Sequence, residues 1–157
     1  DSTFAVTDKV YDRAMPIDIN DKGQIFEPID TEAMNINSSY LEDLFAKAKA
    51  EHPMTQEMLN KIDDMDDYVI KHFRIAFGNR IVKQMKDFVA TYVECGGREV
   101  DGVDYFIARK ILRKFEQLNL AYIRDEIDGL CAYIDELFGV QNMNECKDYL
   151  RMLKKLV

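Results

Sequence analysis

Four aspartates stand together in "KIDDMDDY": Asp63, Asp64, Asp66 and Asp67. At helical spacing Asp63 shares a face with Asp66 and with Asp67. Such a group can attract a cation or a basic partner, but no histidine or further glutamate joins it in sequence. A solvated acidic face is therefore expected, and no metal site. A run of opposite sign, "ARKILRKF", sets Arg109 and Arg113 one turn apart, and Lys110 and Lys114 likewise. That stripe suits nucleic-acid phosphates or the acids of a protein partner. Its simpler reading is a charged outer face opposite Ile107, Ile111, Leu112 and Phe115. Cys95, Cys131 and Cys146 are widely spaced and far in sequence from His52 and His72. They form no CxxC and no Cys-His pair, so zinc, disulfide and nucleophilic chemistry are not expected of them. Their apolar helical neighbours predict buried thiols.

The elements that must position these groups are helical for most of the chain. The 157 residues suffice for one domain, or one domain with an appended segment. An apolar share of 47% supports a core. No run of about eighteen apolar residues exists, so no membrane span is expected. No secretory leader pattern opens the chain, and the odd cysteine count points to the cytosol. The net charge of −8 is uneven. Residues 1–75 hold 16 acids and 8 bases, whereas residues 76–157 hold 13 of each. The second part is thus the only surface fit for a phosphate-bearing partner, and the acidic total argues against broad, non-specific duplex binding.

In residues 1–37, apolar and polar positions alternate on both sides of Asp21-Lys22-Gly23. This predicts a short irregular or β-hairpin segment, with Gly23 at positive φ. Asp18, Asn20 and Gly23 brush a calcium-loop pattern, which then fails at Lys22 and Ile29. From Ser38 the period becomes helical. Ser39 can cap a helix over Tyr40–Glu51 with Leu41, Leu44, Phe45 and Ala48 on one face. After Pro53, Thr55 opens a helix with Met58, Ile62, Met65, Val69 and Phe73 in register. Gly78-Asn79 breaks the pattern, and Ile81, Met85 and Val89 resume it as far as Gly96-Gly97. Further helices are expected over Val103–Leu118, Ala121–Phe138 and Asn142–Leu156. The fold class is mainly α: a bundle of about six helices.

The opening "DSTFAVTDKVYDRAMPIDI" resembles the stretch after sensor 1 in AAA+ ATPases, especially the McrB-like branch. "IAFGNRIVKQMKDFVATY" is similar to the sensor-2 helix of the AAA+ lid. "VDYFIARKILRKFEQLN" resembles a lid segment that follows it. The resemblance extends to about residue 119. It implies a short helix over Val6–Asp12 and a strand at Ile17-Asp18-Ile19. It also implies that Arg13 is an arginine finger that reaches a neighbouring subunit's nucleotide, with Asp12 as a candidate to hold it. The finger must be arginine because charge builds on the γ-phosphate oxygens in the transition state, and a planar guanidinium can bond two of them. Arg80, near a helix start, would face the nucleotide of its own subunit.

The resemblance divides the chain into the end of an AAA+ core (residues 1–37), a helical lid (38–119) and a C-terminal helical extension (120–157). It implies a longer protein that hydrolyses ATP or GTP with Mg²⁺ in a homo-oligomeric ring, with nucleic acid as a candidate substrate. This chain contains no GxxxxGK[ST] and no strand ending in Asp-Glu. Most nucleotide and Mg²⁺ contacts would then come from elsewhere, and the chain alone should be inactive. The rival expectation is a non-enzymatic helical module that binds a protein through its acidic first half or the 109–114 stripe.

Overall fold

A computed structural model of the chain describes residues 10, 13–17, 19 and 22–155, without the side chains of residues 120 and 121. Six α-helices follow one another: α1 (Ser38–Glu51), α2 (Gln56–Phe73), α3 (Asn79–Glu94), α4 (Glu99–Lys110), α5 (Leu120–Phe138) and α6 (Asn144–Lys155). A 3₁₀ segment, Leu112–Gln117, links α4 to α5. No strand occurs among the described residues. The mainly helical expectation is met.

Each helix forms for a local reason. Asn37 caps α1, its Oδ1 accepting from the Tyr40 amide at 2.8 Å. The cap thus lies two residues before the expected Ser39. Thr55 caps α2 as expected, with Oγ1 accepting from the Met58 amide at 3.2 Å. The α4 helix starts at Glu99, earlier than the expected Val103. Glu99 and Asp101 occupy its first turn, where negative charge suits the helix dipole. The expected run to Leu118 instead tightens into the 3₁₀ segment after Ile111.

The helices pack as a chain of neighbours: α1 on α3, α3 on α4, α4 on α6, α6 on α5, and α5 on α2. One buried cluster joins α2 through α6. Met65 and Val69 of α2, Met85 of α3, Ile107 of α4, Phe115 of the link, Leu130 of α5 and Leu150 of α6 are all nearly or wholly excluded from solvent. Among the described residues, those after residue 120 therefore share their core with the elements from α2 to the 3₁₀ link. Each such side chain contributes roughly 1.5–3 kcal/mol through burial. Between α2 and α5, Tyr68 stacks on Tyr133 with ring centroids 4.5 Å apart. Gly129 makes room for this contact, since a Cβ there would lie 2.8 Å from the Tyr68 hydroxyl.

Residues 22–37 are exposed and carry no regular structure, and Gly23 does not take a positive φ. Its described part is irregular, one of the two forms expected. Asp18, Asn20 and Asp21 of the expected hairpin lie outside the described residues, as do Asp1–Lys9, Tyr11 and Asp12. The expected Val6–Asp12 helix thus falls largely outside the description, whereas Ile17 and Ile19 of the expected strand are described and are not in a strand. The α1 helix differs from its neighbours. Only Ala48 is buried, whereas Tyr40, Leu41, Leu44 and Phe45 are 41–54% exposed. The helix uses one corner of its apolar face against α3 and leaves the rest uncovered.

Candidate functional site

The loop between α2 and α3 builds the most suggestive arrangement. The α2 helix stops at Arg74, which adopts the left-handed conformation at φ 58°. Phe77 then plunges into the core. Its amide donates to Asp66 Oδ1 at 2.9 Å, which pins the loop to α2. Gly78 starts α3 at φ 73° and ψ 143°, a conformation that essentially only glycine tolerates. Gly78 provides no side-chain cap, so no side chain of the cap residue covers the first amides of α3. Arg80 is the second residue of that helix and is exposed.

A shallow cavity of about 290 Å³ opens here, lined by residues 76–81 and by Lys114 from the 3₁₀ segment. Two cationic side chains and the positive end of a helix dipole converge on it. That combination attracts an anion, and phosphate above all. The sequence singled out Arg80 for this place. Lys114 was read as part of the 109–114 stripe rather than beside Arg80, since the switch to a 3₁₀ segment at Leu112–Gln117 is not visible in the helical period.

Arg13 is exposed and does not line this cavity. The Val10 carbonyl accepts from the amides of Arg13 and Ala14, each at 2.9 Å, which closes a helical turn. Met15, two residues on, packs against the core. The arginine thus leaves the end of a turn that is anchored just beyond it.

The acidic cluster proves partly structural. Asp63, Asp64 and Asp67 are exposed, whereas Asp66 is half-buried at the loop. Burial pushes the Asp66 carboxyl up, the Phe77 amide pulls it down, and Asp67 and Asp63 push it up. The net result is above the ordinary aspartate range. A carboxyl raised in the folded state gives stability that is complete at acid pH and is lost as pH rises through the raised value. Asp66→Asn keeps the acceptor oxygen and stays neutral. Its stability relative to the native chain should therefore climb as pH rises from 3 to 7 in urea titrations. A relative decline over that range would contradict this account of Asp66.

The basic stripe is not the solvated face that was expected. The Arg109 guanidinium lies 3.7 Å from the Tyr105 ring centroid, and Nη1 donates to Glu145 Oε2 at 3.0 Å. Lys110 is buried and donates to Gln84 Oε1 at 2.9 Å. Arg113 bonds Glu116 at 3.3 Å and faces the Tyr149 ring. The turn to 3₁₀ geometry and the arrival of α6 bring acids and rings against these bases. Lys147 is likewise buried, donating to Asp135 Oδ1 and the Val140 carbonyl at 2.7 Å each. Among the cysteines, Cys146 is buried, and burial raises its thiol well above the ordinary range, which disfavours a nucleophile. Cys131 is half-buried. Cys95 is exposed, contrary to expectation, because α3 ends at Glu94 and Cys95 caps it.

Among the described residues no helix is long and apolar enough to cross a membrane. No protein-family model, curated protein or solved structure matches this chain.

Proposed function

We propose that the chain is the lid-bearing C-terminal portion of an AAA+ NTPase subunit, related to the McrB-like branch. In this reading the complete subunit hydrolyses ATP or GTP with Mg²⁺ as part of a cytosolic homo-oligomeric ring. Arg13 acts across the subunit interface, and Arg80 acts on the nucleotide of its own subunit. The observation that carries the reading is the cavity at the start of α3, where Arg80, Lys114 and the helix N-terminus present positive charge to one space. A triphosphate held by an adjoining core would meet that charge. The uncovered apolar face of α1 offers such a core a surface to rest on.

Nucleotide affinity of the complete subunit tests this reading. Arg80→Ala should weaken triphosphate binding about tenfold, or ~1.4 kcal/mol, as expected for loss of one charge-assisted contact. Lys114→Ala should act in the same direction. Unchanged affinity and turnover in both variants would overturn the assignment.

A second reading, a non-enzymatic helical interaction module, draws on the same exposed residues Tyr40, Leu41, Leu44 and Phe45 of α1. The basic stripe no longer serves that module, since its arginines already face Glu145 and Glu116. A complete protein without any triphosphate pocket would favour this second reading.

A further inference from the structure

We propose that Glu51, His52 and Glu94 form a binding site for a divalent transition-metal ion of the zinc class. The site lies apart from the cavity at the start of α3 and does not depend on the AAA+ reading. Glu51 ends α1, His52 caps that end, and Glu94 ends the neighbouring α3. The packing of α1 on α3 therefore brings Glu94 to the adjacent pair Glu51 and His52, the latter 42 residues before it in sequence. One ring nitrogen of His52 and one carboxylate oxygen from each glutamate all lie within 4.8 Å of one another. His52 Nε2 is 2.8 Å from Glu94 Oε2.

Zinc bonds of about 2.0–2.1 Å in tetrahedral geometry place donor atoms roughly 3.3 Å apart. The Glu51 side chain is 51% exposed and that of Glu94 37%, so both can swing by the small amount required. An imidazole with two carboxylates suits an ion of the zinc class better than Mg²⁺ or Ca²⁺, which favour all-oxygen shells. Three protein ligands leave room for water. A cleft of about 240 Å³ beside Glu51 and His52 provides that space. The chain leaving His52 is also fixed, because Glu99 accepts from the Thr55 amide at 2.6 Å and from its hydroxyl at 2.9 Å.

A second, independent feature of the structure favours a cation here. Two helix C-termini lie side by side, and their last carbonyls carry partial negative charge. The fold already draws a cation to the spot: Lys47 Nζ stands 3.8 Å from Glu51 Oε2 and 3.8 Å from Glu94 Oε1. At that distance the ammonium makes no close hydrogen bond to either carboxylate. A divalent ion can displace it, and two carboxylates then balance the ion's charge.

Calorimetric titration of the full chain with zinc chloride tests the site. All proteins should carry Cys95→Ser, which removes an exposed thiol next to Glu94. Saturable binding of one ion per chain is expected. His52→Ala and Glu94→Gln should each weaken it about tenfold or more, since even outer-shell partners contribute that much. Lys47→Met should tighten it by removing the resident competitor. Unchanged helical circular dichroism will show that the variants still fold. The proposal is overturned by the absence of saturable binding, by binding that ignores His52→Ala and Glu94→Gln, or by weaker binding in Lys47→Met.

Discussion

Replacing Arg13 with alanine in the complete subunit should slow triphosphate hydrolysis by about a thousandfold, the lower end of what an arginine finger contributes. Nucleotide affinity should change far less, because in the proposed AAA+ reading the guanidinium meets charge that develops fully only in the transition state. Arg13→Lys should recover little, since an ammonium cannot donate two parallel hydrogen bonds to adjacent oxygens. The turn closed by the Val10 carbonyl, with Met15 anchored behind it, gives the side chain a defined base while leaving it exposed. Rings assembled from Arg13→Ala subunits and from subunits with a disabled phosphate loop should regain part of the activity, because each supplies what the other lacks. Native turnover in the Arg13→Ala protein, or no rescue on mixing, would refute action across an interface.

The largest stability loss from a polar substitution is expected at Asp104, which is 6% exposed. Its Oδ1 accepts from the Cys146 amide at 2.8 Å, and its Oδ2 accepts from the Glu145 amide at 2.9 Å. The residue therefore caps α6 from a different helix, 41 and 42 residues away in sequence. Asp104→Ala strands two donors in a region water cannot easily reach, at about 1–3 kcal/mol each. Urea denaturation should register a loss of about 3 kcal/mol with an unchanged slope. Asp104→Asn retains one acceptor and should lose about half as much. A loss below 1 kcal/mol in the alanine variant would mean that α6 does not depend on this cap.

Much of the architecture follows from local rules. Apolar residues at positions 58, 62, 65, 69 and 73 repeat at the helical period, and all five are buried along α2. The turn formers at Gly78, Gly96 and Gly139 mark helix boundaries, each with a positive φ. Where local rules compete, the sequence misled. Gly23 with alternating neighbours reads as a hairpin, yet a hairpin needs a covered face, and residues 22–37 are exposed. The apolar positions of α1 read as core, but no described element covers most of them.

The candidate site shows what the sequence made visible and what it did not. Arg80 was singled out by the resemblance to a sensor-2 helix, and the break at Gly78-Asn79 placed it near a helix start. Lys114 was read within the 109–114 stripe and not as a neighbour of Arg80, because its place depends on the switch to 3₁₀ geometry after Ile111. Lys110 read as part of a charged outer face, and Asp104 and Lys147 carried no signal in the sequence, yet all three are buried with partners from other elements. The exposed thiol of Cys95 was missed by a single residue in the position of the α3 terminus.

The sequence by itself determined the helices, their main buried faces and the glycine-marked breaks between them. These are short-range matters of period, capping and backbone freedom, which a few neighbouring residues decide. Only the tertiary structure decided which charges meet. Glu145 reaches Arg109, Asp104 reaches Cys146, and Glu94 reaches His52 only once helices distant in sequence pack together. Ionic and hydrogen-bonded contacts act over a few ångströms, and nothing in a linear pattern states which distant residues will come within that range.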